Sequence, residues 1–149
     1  MLINGLHAYI CTLCPSTRMH REFSIIRMKS EAKEWEFPLS WDEVTSFSPM
    51  AGPFSEFEMH RLHYAIATFP RAKPIHDGRR AWNIHGVEAW LTSDGCLFVD
   101  GLMDVDFMYS FFKHLRSALP NLLVEDRITN VVHDEVSLRR LAVQTDRAA

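Results

Sequence analysis

Apolar positions in the second half of the chain recur at steps of three and four in some stretches and alternate at two in others, and this change of period predicts the elements. Val105 to Leu119 places Met108, Phe111, Phe112, Leu115 and Leu119 on one helical face, with Asp104 set to cap its start and Pro120 to close it. Met59, Leu62, Ile66 and Phe69 repeat the arrangement upstream, and Pro70 ends that helix by removing a backbone donor. Its start is marked by Ser55 with Glu58, a capping box in which hydroxyl and carboxylate satisfy each other's backbone amides. A second box, Ser40 with Glu43, predicts a short helical turn ending before Pro49 to Pro53. Ala81 to His85 and Val87 to Thr92 read as strands, and Ser93-Asp94-Gly95 supplies a turn that returns Cys96 to Val99 antiparallel. Leu122 to Glu125 and Ile128 to His133 read as two more, with Glu125-Asp126-Arg127 between them. The tail from Asp134 predicts a short helix around Val136, Leu138 and Leu141.

Leu6 to Leu13 reads as a first strand. Pro15 to Leu39 fits two patterns. As a helix it would be capped by Ser16 or Thr17, with Met19, Phe23 and Ile26 along one side. As a hairpin it would pair Phe23 to Met28 with Trp35 to Leu39 across Lys29 to Lys33. The hairpin is favoured, because Glu34 and Glu36 alternate with Trp35 and Phe37 at period two. Residues 71–80 are expected to be a loop. The expectation is a single α+β domain over residues 1–149: an antiparallel-rich mixed sheet of roughly five to seven strands, with two main helices packed on one face.

Composition agrees with one globular unit. The chain has 149 residues, 47% hydrophobic and 23% charged, which excludes a disordered, collagenous or low-complexity chain. No uninterrupted apolar run is long enough to span a bilayer, so no membrane partner is expected. Met1 to Cys14 lacks a basic leading segment and a small-residue cleavage pattern, and reads as structure and not as a leader. Three cysteines, an odd number, argue against a secreted disulfide framework, so a cytoplasmic location is expected.

Cys11-Thr12-Leu13-Cys14-Pro15 resembles the redox site of thioredoxin-like proteins over those five residues, which implies a first thiolate stabilised by helix amides. The chain departs from that family where a helix should follow the motif directly and a cis-proline loop should face it; Lys73-Pro74 is a poor substitute. His60 and His63 share a helical surface, and His76, His85 and His133 are further ligand types, yet no second C-x-x-C occurs and the spacing does not support a zinc site. Opposed H-x-[ST] strands, as in two-histidine phosphoesterases, are absent as well: His63-Tyr64-Ala65 lacks the hydroxyl. No catalytic residue, metal or cofactor is assigned. A small metal- or thiol-dependent enzyme using clustered histidines with Cys11 and Cys14 stands as the alternative.

Charge carries the leading expectation. Loop 71–80 holds Arg71, Lys73, Arg79 and Arg80 against the single Asp77, in a chain of net charge −3, and is expected to bind an anion or an acidic group. Asp100, Asp104, Asp106, Glu125 and Asp126 are expected to form an acidic surface that meets a basic protein partner. The net charge disfavours nucleic acid. The expected function is a non-enzymatic binding protein acting by electrostatic and steric masking. In general character it is similar to bacterial or phage inhibitors and toxin-neutralising immunity proteins, with a toxin or effector as the expected kind of partner.

Overall fold

The computed structural model describes residues 18–28, 35–43, 52–75 and 80–148. The expected strand at Leu6 to Leu13, together with Cys11, Cys14, His76 and Arg79, lies outside them. In chain order the elements are β1 (Met19–Arg27), β2 (Leu39–Ser40), α1 (Glu56–Thr68), β3 (Lys73–Pro74), β4 (Arg80–Ile84), β5 (Val87–Leu91), β6 (Leu97–Met103), α2 (Val105–Ala118), β7 (Leu122–Asp126), β8 (Val131–His133) and α3 (Glu135–Ala148). The architecture is α+β. Eight strands form one sheet in the order β2-β8-β7-β1-β6-β5-β4-β3, and every ladder is antiparallel.

Strand alternation sorts the side chains onto two faces. Phe23, Ile25, Leu97, Val99, Ala89, Leu91, Trp82 and Val124 lie on one, in register across β1, β6, β5, β4 and β7, and all are buried. The helices cover this face. Met59, Leu62 and Ile66 of α1, Met108, Phe111, Phe112 and Leu115 of α2, and Leu138 and Ala142 of α3 join the strand residues in one core. Each fully buried Phe or Leu contributes about 1.5–3 kcal/mol. On the opposite face Phe37, Leu123 and Val132 form a smaller cluster under Trp35, Leu39 and Trp41. No helix among the described residues is long and apolar enough to cross a membrane.

Three sequence expectations are corrected. β1 is a strand, as the hairpin reading requires, but Trp35 to Leu39 does not pair with it: β2 joins β8 at the sheet edge, with β8 and β7 standing between β2 and β1. Phe37 is buried and Glu36 exposed, so the alternation was real, yet it cannot name the partner strand. The last hairpin turns later than expected, at residues 127–130, because Asp126 Oδ1 accepts from the amides of Ile128 and Thr129 and Asn130 takes φ 59°. Finally, the tail is a full helix, α3. Arg116 of α2 pairs with Glu135 at its start, and Leu138 is fully buried. Loop 71–80 also contributes the short edge strand β3.

The two predicted capping boxes are formed. Ser55 Oγ accepts from Glu58 N at 3.2 Å while Glu58 returns a bond to Ser55 N at 3.0 Å, and Ser40 with Glu43 repeats the pair. Asp104 caps α2 by accepting from Phe107 N at 2.8 Å. Gly101 has a positional reason: a Cβ there would lie 2.8 Å from Val87 Cα and 2.9 Å from Gly86 O, so only glycine lets the β4–β5 turn close against β6.

Candidate functional site

The expected acidic surface shares one end of the sheet but not one face. Asp100 and Glu125 project from the uncovered side, where Glu125 is hydrogen-bonded to Ser24 and burial raises its pKa above the usual carboxylate value. Asp104 is occupied as a helix cap, and Asp106 is exposed in the first turn of α2. Asp126 lies on the covered side, 6% exposed, holding its own turn. A buried carboxylate committed to two backbone amides is structural and cannot meet a partner. The basic set is divided too. Arg80 pairs with Glu56, Lys73 is exposed on the edge strand, and Arg71 stands apart beside His85.

Among the described residues, the histidines that the alternative reading would cluster stand apart. His60 is exposed on α1, His63 packs edge-on against Trp82, His85 accepts from Arg71, and His133 is buried against Ser137. A different group comes together on the uncovered face. His20 Nε2 lies 3.1 Å from Asp100 Oδ1 and 3.3 Å from Glu22 Oε1, on neighbouring strands, and Glu88 faces Asp100 across the next ladder. These ligand types suit a divalent cation, and all three side chains stand in solvent. The H-x-E spacing on a strand is legible in sequence; the register that adds Asp100 is not.

His133, Ser137 and Asp126 have the chemistry of a base, a nucleophile and an acid, but their geometry is that of a cap. His133 Nδ1 lies 3.0 Å from Ser137 Oγ. The same oxygen accepts from Asp134 N at 3.1 Å, and Ser137 N donates to Asp134 Oδ1 at 2.8 Å, which is a reciprocal N-cap of α3. Burial lowers the His133 pKa, against the opposing influence of Asp126 and Asp134. Ser137 is 3% exposed, so its hydroxyl has no path to a substrate.

One apolar concavity lies on the far side of the helix layer, between α1 and α2. It encloses about 560 Å³ and is lined by Phe57, His60, Arg61, Tyr64, His114 and Ala118, among others. At 100° per residue, Phe57, Arg61, Tyr64 and Thr68 fall opposite Leu62 and Ile66, so α1 has two faces of different character. The inner face is core. The outer one leaves Phe57 67% and Tyr64 71% exposed. Its floor is fixed by hydrogen bonds between the helices: Arg61 Nε donates to Ala118 O at 2.8 Å, and His114 Nε2 donates to Ala65 O at 2.7 Å. The Arg61 guanidinium also sits 5.7 Å from the Phe57 ring centre. Sequence reading passed over this stripe because the stronger core periodicity of the same helix hides it; the i, i+4, i+7 spacing of Phe57, Arg61 and Tyr64 was the available signal.

Comparison of the chain with family models, with curated proteins and with solved structures found no match.

Proposed function

We propose that this protein is a non-enzymatic binding protein that masks another protein by seating part of it in the groove between α1 and α2. The observation that carries the reading is the pair of exposed aromatics, Phe57 and Tyr64, two turns apart on the same face and flanking a concavity with a fixed floor. Large aromatic side chains left in water cost free energy that contact with a partner returns, and with arginine they are the residue types that dominate binding energy at protein interfaces. The lining has no carboxylate, while Arg61, His60 and His114 supply positive or donor groups. The occupant that fits is a segment with apolar side chains flanked by acidic ones. This changes the polarity expected from the charge pattern: the acidic residues are committed to caps, turns and the uncovered face, and the basic rim of the groove favours an acidic partner. An inhibitor or immunity-type role against a toxin or effector is compatible with masking of this kind.

The test compares three immobilised proteins in extract of the host: wild type, the Phe57→Ala/Tyr64→Ala double variant, and Asp100→Asn as a surface control on the opposite side. A protein retained by wild type and by the control, and lost from the double variant, is the expected result. Retention that survives the double variant, or that fails only in the Asp100 control, overturns the proposal. Unfolding midpoints of all three confirm that both variants are folded.

A further inference from the structure

We infer that a second site, at the end of the sheet where β6 runs into α2, binds a small oxyanion, a phosphate or a carboxylate, carried on an apolar or aromatic body. The concavity holds about 350 Å³. Its floor is Ile84, Val87 and Met103, each 1% exposed, and Leu102 and Phe107 form its apolar walls. Three nitrogen-bearing side chains from distant parts of the sequence stand at its rim: Arg18 before β1, Arg71 after α1, and His85 in the β4–β5 turn.

Their pairing differs from that of several other arginines. Arg27, Arg80, Arg116 and Arg127 each have a carboxylate within ion-pair distance. Arg18 and Arg71 have none among the described residues. Arg18 donates to Leu102 O at 3.3 Å, and Arg71 Nη1 donates to His85 Nε2 at 2.8 Å. Because a guanidinium can only donate, His85 is the acceptor and carries its proton on Nδ1. Two guanidinium groups thus face one small concavity with most of their donors uncommitted, the arrangement that recognises phosphate or carboxylate with paired hydrogen bonds. One carboxylate, Asp104, also lines the site, and its Oδ1 is already bonded to Phe107 N.

The backbone is shaped to present the rim. Arg71 has φ 67° and His85 φ 55°, left-handed conformations that cost a side-chain-bearing residue free energy and are held only when the surroundings impose them. Gly86 N donates to Asn83 Oδ1 at 3.1 Å, which fixes the turn, and Gly101 lets that turn approach β6. The site lies outside the α1–α2 groove and shares no lining residue with it, so it stands or falls independently of the masking reading.

The test is a titration of isotope-labelled full-length protein followed by amide and imidazole resonances, using phenyl phosphate, benzoate, inorganic phosphate and phenol. The expected result is saturable displacement of the His85, Arg71 and Leu102 signals by phenyl phosphate or benzoate at millimolar concentration or below. Affinity should be at least about fivefold higher than for inorganic phosphate, with no saturable response to phenol. Phenyl phosphate against benzoate separates the two oxyanions. Arg71→Gly, which keeps the left-handed backbone and removes the guanidinium, and Arg18→Ala should each weaken binding by about tenfold, while Arg139→Ala leaves it unchanged. Binding that persists in both rim variants, equal affinity for phenyl phosphate and inorganic phosphate, or no saturable displacement by either aromatic anion overturns the site.

Discussion

The two faces of the sheet are made by the same strands and obey opposite rules. On the covered face, neighbours in register are Phe23, Val99, Ala89 and Trp82, all buried under three helices. One residue along, on the uncovered face, the register brings Glu22, Asp100 and Glu88 side by side, then Ser24 with Phe98 and Trp90. The covered face is held mainly by area removed from water. The uncovered face is held by specific pairs: Trp90 against Phe98 at 5.7 Å, Arg127 over the Phe98 ring at 5.0 Å, Glu125 on Ser24, and His20 between two carboxylates. Stability therefore resides mainly on one side, and the other can vary its chemistry at small cost.

The sharpest way to break this contrast is to remove one large side chain from each face. Phe112→Ala takes a fully buried ring out of the helix–sheet core and should destabilise by about 3–5 kcal/mol. Leu123→Ala removes an equally buried side chain from the smaller cluster opposite, where the half-buried rings of Trp35 and Trp41 can settle into the space; about 2 kcal/mol is expected. Denaturant midpoints of the two variants decide the matter, and equal losses would show that the small cluster is as rigid as the core. Next in size is Asp126→Ala, which leaves the amides of Ile128 and Thr129 without their acceptor and should cost about 1–3 kcal/mol. Measured alongside, Asp106→Ala should change stability by less than about 0.5 kcal/mol, since that residue is exposed.

That pair of aspartates shows where sequence reading reaches and where it stops. Local signals carried through: both capping boxes, the Asp104 cap, the Phe111 and Phe112 face of α2 and the Ser93-Asp94-Gly95 turn are formed as the spacing requires. Each depends on residues within one or two turns of each other. Hairpin pairings between neighbouring strands carried through too, but what depended on long-range register did not. Asp100 and Asp126 look alike in sequence, yet opposite faces make one a solvent-facing charge and the other a buried turn anchor. Arg71 was legible as a cation in a basic loop, but its neighbours at the site, Arg18 and His85, come from distant segments, before β1 and in the β4–β5 turn, and no spacing along the chain could supply them. Of the strand expected over Trp35 to Leu39 only Leu39 lies in β2, residues 35–38 being bends and irregular chain, and its partner β8 is more than ninety residues on.

A pH experiment sharpens the same contrast. Burial holds the His133 pKa below its ordinary value of about 6.5. The unfolded chain therefore takes up a proton as pH falls through 6.5 while the folded one resists. Stability is at its full value above that point and falls as pH drops from there to the folded pKa, below which the loss is complete. Unfolding free energy measured from pH 7.5 to 5 should show this decline, and His133→Asn should flatten it. An unchanged slope in the variant would place the titration elsewhere. Glu125 works in the opposite sense: its raised pKa means that the folded state disfavours the charge, so Glu125→Gln should be neutral to slightly stabilising at pH 7.

The smallest effect is expected at the centre of the uncovered face, and its sign is the informative part. Glu22, Asp100 and Glu88 stand in register on three neighbouring strands, and like charges directly opposite one another destabilise a sheet. His20 offsets this only in part, because all of these groups are reached by solvent. Asp100→Asn removes the middle charge and keeps the shape of the side chain. It should raise the unfolding free energy by about 0.2–0.5 kcal/mol in low salt, and the gain should shrink as added salt screens the repulsion that the wild type retains. A loss of stability in the variant would mean that the bonds from Asp100 to His20 outweigh the repulsion in the row, and that the uncovered face also draws net stability from its charges. A gain that salt removes assigns those carboxylates to a surface whose charge is tolerated by the fold and held up by the core behind it.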